Sequence, residues 1–229
     1  MKNLKITFIL TLFVTIFLFI SCQSDATYEN DSKDSTGDYW PMAIGNQWVS
    51  SLGGNEYTMK IISSENVEGH TYYKFDQFVG VGEGITSRTS YSMRKDKGNY
   101  YIKMNKVSFE QGSITGEITA YEFLLLKDYL DVNKSWTGHY SYRTTYNLPN
   151  VLPLNTAVDY TGTILEKGTS LTVKGVKYND VIKFRISQKT TDMVVASGEV
   201  KTYTSDVDYW VAKNIGIIKM ATKDSTTEL

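Results

Sequence analysis

The chain has 229 residues, with 24 basic and 25 acidic side chains and a formal net charge of −1. A chain this close to neutral, with no segment that concentrates lysine and arginine, is not expected to bind nucleic acid. It contains one cysteine and two histidines, His70 and His139. An internal disulfide is therefore excluded, and neither a metal site nor a cofactor is predicted.

The N-terminal residues have the pattern of an export signal. Lys2 and Lys5 give a positive start, and residues 6–20 follow as an uncharged, mostly apolar run. As a helix this run spans about 22 Å, whereas a bilayer core is about 30 Å thick. The short run, followed by the small Ser21, favours a secretory signal peptide over residues 1–21 rather than a membrane-spanning helix.

The single cysteine, Cys22, lies where the apolar run turns polar. Phe19-Ile20-Ser21-Cys22 resembles the bacterial lipobox, in which a signal peptidase cuts before the cysteine. The resemblance implies that Cys22 becomes the mature N-terminus and carries a diacylglycerol thioether, usually with an amide-linked acyl chain such as palmitate. Each buried CH₂ contributes about 0.8 kcal/mol, so two or more chains give stable anchoring. The predicted partner is the membrane, reached through lipidated Cys22.

The next segment is predicted to be a flexible tether, so that residues 22–38 comprise the lipidated cysteine and its tether. Residues 23–38 are almost all Ser, Thr, Asp, Asn, Lys and Gly, and they cannot bury enough apolar surface to fold. We expect one β-rich domain over residues 39–229. Gln23-Ser24-Asp25 is similar to the acidic signals that send lipoproteins of Bacteroidetes-type bacteria to the cell surface, although it has one acid where those have several. The expected location is the outer membrane, facing either inward or outward.

Period-two alternation of apolar and polar residues predicts β-strands along the rest of the chain. Turn signals rich in glycine and asparagine separate the alternating runs. Residues 121–130 fit either a helix or a buried strand. The expected fold is mostly β, an antiparallel curved sheet that forms a half-barrel or a sandwich. Three apolar faces carry this prediction: Tyr57, Met59 and Ile61; Tyr100, Ile102 and Met104; Ile182, Phe184 and Ile186.

Two stretches look alike and predict two similar halves, residues 39–110 and 127–220. An apolar residue lies four positions before a tryptophan in each, Ile44 before Trp48 and Val132 before Trp136. A Val-x-Gly turn follows in both, at residues 67–69 and 173–175. The alternative is that two hairpins converged on the same turn chemistry.

Three segments carry a family resemblance. Tyr39-Trp40-Pro41-Met42-Ala43-Ile44-Gly45-Asn46-Gln47-Trp48 is similar to the Y-x-P-L-x-x-G-N-x-W start of uncharacterised outer-membrane lipoproteins of Bacteroidetes-type bacteria. Residues 173–182 resemble their V-x-G-x-x-Y-x-D-V-I centre, and residues 209–219 resemble their A-x-x-V-G-L-V-K close. The family brings no established activity. The chain departs from it at Asn133, where the second repeat normally has glycine, but asparagine also tolerates left-handed backbone.

No catalytic motif stands out. HExxH and Gly-x-Ser-x-Gly are absent from the sequence, and the glycine-rich residues 80–84 lack the spacing of a phosphate-binding loop. The 25 acidic residues could supply the two carboxylates of a glycoside hydrolase, but their sequence positions select no pair. The chain is therefore predicted not to be an enzyme.

The aromatic residues of segment 136–146 form one candidate ligand-facing group. If this segment is a strand, they share one face; they are Trp136, Tyr140, Tyr142 and Tyr146. Such a face could stack on sugar rings or line an apolar cavity. It could equally fill the core of a twisted sheet, where alternating aromatics usually pack.

The leading expectation is a non-enzymatic, lipid-anchored envelope protein with a binding or structural role at the outer membrane. Its partner would be another envelope protein, a glycan or a lipid. One alternative is a carrier that holds an apolar ligand in a curved-sheet cavity. Another is an exported glycan hydrolase whose carboxylate pair is not located. A cavity of several hundred Å³ with an apolar lining would favour the carrier.

Overall fold

The computed structural model describes residues 33–76, 91–111 and 114–229. The predicted signal peptide, Cys22, residues 23–32 of the tether and the glycine-rich residues 80–84 lie outside this part of the chain. Within it every regular element is a β-strand, and none of its segments is a helix that could cross a membrane. Residues 121–130, which fitted a helix or a strand, contain the strand Tyr121–Lys127.

The strands pair in a single antiparallel sheet, in the order β6-β7-β9-β10-β11-β12-β13-β14-β1-β2-β3-β4-β5-β8. The outermost strands, β6 and β8, do not pair with each other, so the sheet is not closed into a barrel. The predicted mostly-β, antiparallel fold class is confirmed. The strands are β1 Gln47–Leu52, β2 Asn55–Val67, β3 His70–Phe75, β4 Tyr91–Asp96, β5 Asn99–Met104, β6 Val107–Gln111, β7 Ile114–Ile118, β8 Tyr121–Lys127, β9 Ser135–Tyr146, β10 Leu154–Val173, β11 Val176–Val194, β12 Val200–Ala212, β13 Gly216–Ala221 and β14 Thr226–Glu228.

The strand order contains the same meander twice. Strands β1 to β5 and β8 form the first half, β9 to β14 form the second half, and the two halves join where β14 pairs with β1. The hairpin β6–β7 is inserted before the last strand of the first half and pairs with β9 instead. The halves therefore end with β8 and β14, somewhat beyond the predicted limits of residues 110 and 220.

The turn before each tryptophan has the same hydrogen bonds in both halves. The backbone N–H of Gly45 donates to the Ile61 carbonyl at 2.8 Å, and that of Asn133 donates to the Ile164 carbonyl at 2.8 Å. Gly45 has φ +95° and Asn133 has φ +65°. Asparagine thus occupies the left-handed position that glycine occupies in the first half, as the sequence predicted.

The two halves also resemble each other in the residue pairs that they place in the core. Ile61 pairs with Phe75 and Ile164 pairs with Phe184, and in each half the register shifts directly after the isoleucine. The ring centroids of Trp48 and Phe75 are 6.1 Å apart, and those of Trp136 and Phe184 are 6.2 Å apart. The tight turns that follow place their two central residues at positive φ in both halves: Glu68, Gly69, Lys174 and Gly175. Local sequence and tertiary packing therefore repeat together.

Residues 33–38, here called the N-terminal strap, pack on the sheet. The N–H of Gly98 donates to the Lys33 carbonyl at 3.0 Å, and the N–H of Asn214 donates to the Asp38 carbonyl. The Tyr100 hydroxyl lies 3.1 Å from the Gly37 carbonyl, to which it donates. The packed chain therefore begins ahead of the predicted start at Tyr39, because polar residues here are held by hydrogen bonds rather than by apolar burial.

Candidate functional site

The four predicted ligand-facing aromatics share one face of β9, and this face points into the fold. Trp136 is 5% exposed, and its indole N–H donates to the Leu124 carbonyl at 3.2 Å. Tyr140, Tyr142 and Tyr146 are half-buried. A ligand-facing role for this group stays a prediction, since the described contacts of these side chains are all with other groups of the fold.

Tyrosines from β8 and β9 stack on one another. The ring centroid of Tyr121 is 4.8 Å from that of Tyr140 and 5.0 Å from that of Tyr142. Phe123 also stacks on Tyr140, with their ring centroids 5.3 Å apart. Tyr146 instead meets Phe109 of the inserted hairpin edge-on at 5.9 Å. The strand β8 thus folds back over β9, although it lies at the opposite end of the strand order.

The edge strand β8 is capped by side chains from the second half. The N–H of Leu124 donates to the Tyr160 hydroxyl at 3.0 Å, while the Leu124 carbonyl accepts the Trp136 indole N–H. Each of these side chains, Tyr160 and Trp136, lies directly against a glycine of the neighbouring strand. A Cβ added to Gly138 would lie 2.2 Å from the Tyr160 hydroxyl, and one added to Gly162 would lie 2.1 Å from the Trp136 ring. These two glycines are a sequence signal for the packing of β8 on β9 and β10.

Burial controls the acidity of the stacked tyrosines and of Tyr91, which lies on β4. It raises the pKa of Tyr91 to about 12, with a smaller contribution from Tyr142. Burial, followed by the neighbouring tyrosines, also raises the pKa of Tyr121 and of Tyr140 far above the ordinary value. These hydroxyls are therefore neutral at physiological pH and act as hydrogen-bond donors and acceptors.

A small polar network borders the tyrosine stack. The Thr156 hydroxyl donates to Asp192 at 2.6 Å, and the Gln188 amide donates to the Tyr140 hydroxyl at 3.3 Å. Thr156 is 2% exposed, and the carboxylate supplies a hydrogen-bond partner for its buried hydroxyl. The sequence singled out Tyr140 but not Thr156, Gln188 or Asp192, because these three lie on other strands, β10 and β11.

A buried carboxylate holds the N-terminal strap. Asp128, directly after β8, is fully buried. Its carboxylate accepts hydrogen bonds from the Ser35 hydroxyl, from the Thr36 N–H at 3.0 Å and from the Tyr100 hydroxyl at 3.1 Å. The Lys167 ammonium donates to the Asp128 carbonyl at 2.8 Å. Sequence reasoning missed this site, because its two sides are far apart in the chain: the strap looks like a polar surface segment, and Asp128 lies in an apolar run.

The three described arginines differ in whether they are paired with a carboxylate. Arg94 pairs with Glu122, and Arg185 forms a two-pronged pair with Asp208 at 2.6 and 3.0 Å. Arg143 is exposed, and within the described residues it forms no ion pair with a carboxylate. Among the residues that the structure describes, no group of three or more His, Cys, Asp or Glu side chains could hold a metal ion.

Arg143 lines a shallow cleft of about 510 Å³ over β9–β11, and most of the other lining residues share its face of the sheet; Tyr142 and Thr156, which alternate with them, also border the cleft. Two rows of residues that are paired across β9, β10 and β11 form it. The first row is Ser141, Ala157 and Thr191, and the second is Arg143, Asn155 and Met193. Ala157 is the smallest side chain of the six, which leaves the central depression between its larger neighbours.

Comparison with known proteins adds little to this geometry. No protein-family profile matches the chain, and no curated protein matches it either. A crystal structure of a protein named a "putative lipoprotein", from Parabacteroides distasonis ATCC 8503, is similar with a TM-score of 0.49 and 15% sequence identity, over 86% of this chain and 98% of that chain. A likeness this weak establishes neither a shared family nor a shared function.

Proposed function

We propose that this protein is a lipid-anchored envelope protein that uses its β-sheet domain for a non-enzymatic binding role at the outer membrane. The observation that carries the proposal is Cys22, which directly follows an apolar run too short to span a bilayer. Acylation at this position would tether the domain to a membrane surface.

The N-terminal strap fits the role of an anchored domain. Eleven peptide units separate Cys22 from Lys33, and when fully extended they reach about 40 Å at most. The strap then contacts both halves of the sheet, through Gly98 and Asn214. A pull on the anchor would therefore be shared between the two halves and would not fall on one terminal strand.

The long strands of the second half fit a binding role. Strand β11 begins near the strap and has 19 residues, and from Val181 to Val194 it extends about 40 Å. The tips around this far end expose apolar side chains, which are Val151, Leu152, Met193, Val195 and Val200. A domain held at one end presents its other end, together with the nearby Arg143 cleft, to partners at a distance from the strap.

Three poorly exposed carboxylates among the described residues support binding rather than hydrolysis. Asp128 is occupied by donors from the strap and from Tyr100. Glu122 accepts from Arg94 and from the Tyr72 hydroxyl at 2.7 Å. Asp208 is held by Arg185. Each of these groups has hydrogen bonds that hold the sheet together, and a general acid would need its proton free for a substrate.

The test of this proposal is the fate of Cys22 in cells. We expect the mature wild-type chain to begin at Cys22, to carry the mass of its acyl groups and to fractionate with the outer membrane. The Cys22→Ser variant should accumulate as an unprocessed, unacylated precursor, because a serine hydroxyl cannot supply the thioether. Ser24→Ala, two residues away, is the matched control and should behave as wild type. An unmodified Cys22 thiol in the mature wild-type protein would contradict the proposal.

A further inference from the structure

We propose that the cleft around Arg143 binds a carboxylate-bearing sugar. This deepens the proposed binding role and rests on it, because it names the ligand class that the domain would recognise. Nothing in the sequence pattern pointed to this cleft, whose residues look like the polar side of ordinary strands.

The first support is the contrast among the arginines. Arg94 and Arg185 are each matched with a carboxylate of this chain. Arg143 lies on the wall of a cleft, and its contacts to the described residues leave its guanidinium without an ion pair. A guanidinium matches the two oxygens of a carboxylate with parallel hydrogen bonds. The cleft thus offers a cation where the other described arginines are already neutralised.

The second support is the chemistry of the lining. Around Arg143 the cleft presents hydroxyl and amide groups but no acidic side chain: Thr119, Ser141, Asn155 and Thr191. Such groups can both donate to and accept from the hydroxyls of a sugar ring. The side chains of Ala157 and Met193 add apolar surface, against which the C–H face of a ring can pack. An anion without hydroxyls would use only the arginine.

The third support is that the Arg143 wall is positioned by backbone hydrogen bonds. The N–H of Arg143 donates to the Thr119 hydroxyl at 2.9 Å, and the N–H of Thr119 donates to the Arg143 carbonyl at 3.0 Å. The segment that follows β7 is therefore tied to β9 at the cleft. The inserted hairpin, which is present in one half only, completes the wall of this site.

The experiment is a titration of the mature full-length chain, in detergent micelles, with trigalacturonate and with neutral galactotriose. We expect heat of binding for trigalacturonate and none for galactotriose at the same concentration. Arg143→Gln should weaken trigalacturonate binding by about tenfold or more, since hydrogen bonds to charged groups are the strong ones. Arg185→Gln is the matched control, an arginine on the same face of the sheet, and it should bind as wild type. Thermal melts of both variants check that they are folded.

Several results would overturn the assignment. Unchanged affinity in folded Arg143→Gln would do so, as would equal binding of galactotriose or no binding of trigalacturonate by the wild-type chain. Displacement by acetate at an equal carboxylate concentration would show a simple anion site, and tighter binding of triglutamate would show a peptide site. Acylation of Cys22, scored separately by mass spectrometry, decides the anchoring proposal independently of these outcomes.

Discussion

The two halves of the sheet share a frame but differ in the length of their strands. In the first half β2 has 13 residues and β3 has 6, whereas the matched β10 and β11 have 20 and 19. The turn, the register shift and the tryptophan–phenylalanine contact are the same in both. The difference lies beyond this shared frame, where β9 contributes Tyr140 and Tyr142 to the tyrosine stack and β9–β11 form the Arg143 cleft. The shared core contacts can therefore be kept for stability in both halves, while longer strands in one half add surface that can bind a partner.

The tryptophans give the strongest test of the shared frame. Trp48 is 6% exposed and Trp136 is 5% exposed, and each indole donates to a carbonyl of the other half, at Ile215 and at Leu124. We expect Trp48→Ala and Trp136→Ala each to lower the free energy of unfolding by about 3–5 kcal/mol, measured by denaturant melts.

The control for these variants is Trp210→Ala, because Trp210 is half-exposed on the outer face between Lys183 and Lys219. Its loss should be clearly smaller. If Trp136→Ala spared stability while Trp48→Ala did not, the two positions would not be equivalent, and the ligand-facing interpretation of Trp136 would gain support.

The two halves also differ in how they hold the strap, because the buried carboxylate that binds it, Asp128, belongs to the first half only. Asp128→Asn should cost about 1.5–3 kcal/mol, because hydrogen bonds to a charged acceptor are replaced by weaker ones. It should also expose residues 33–38 to proteases, which mass spectrometry of limited digests would detect. Asp131→Asn, at an exposed position nearby, is the control. Unchanged protection of the strap in Asp128→Asn would show that the remaining backbone contacts suffice.

Tyr91, a buried tyrosine of β4 whose pKa is influenced by Tyr142 of the stack, predicts a loss of stability in alkali. The folded pKa of Tyr91 is raised to about 12 from 10.0, so above pH 10 the unfolded chain binds fewer protons than the folded one. Below pH 10 the contribution of Tyr91 to the free energy of unfolding should therefore be constant. As the pH rises from 10 toward 12, this contribution should fall by up to about 1.4 kcal/mol per pH unit. Melts of Tyr91→Phe should show a shallower slope, and an identical slope would contradict the assignment.

The left-handed turn residues give the smallest expected difference. At Asn133 and Gly45, which occupy the matched position, alanine is strained by its Cβ, which costs about 1–2 kcal/mol at positive φ. We expect Gly45→Ala to cost somewhat more than Asn133→Ala, because asparagine already bears part of this strain. Asn133→Gly should be close to neutral. A large loss in Asn133→Gly would indicate that the asparagine side chain has a role beyond the turn.

Much of the local structure could be predicted from residue patterns. Alternation placed Met59, Ile102 and Phe184 on buried faces, and all three are buried. The fit of residues 121–130 to both helix and strand came from an apolar run in which period two and period 3.6 are equally satisfied. The partner strand β5 decided that segment, because its ladder supplies the backbone hydrogen bonds. The candidate aromatics were correctly placed on one face, but the sequence could not say what would cover that face.

The sequence by itself predicted an export signal that ends before Cys22, and it determined the class of fold and the paired turns at Gly45 and Asn133. These depend on hydrophobicity, periodicity and backbone preference, which act over a few neighbouring residues. Only the tertiary structure decided that the β6–β7 hairpin joins β9, that Asp128 holds the strap, and that Arg143 lies in a cleft. Those features depend on contacts between distant segments, such as the separation of 92 positions between Thr36 and Asp128. Their energy comes from burial and hydrogen bonding that exist only once the whole sheet has formed.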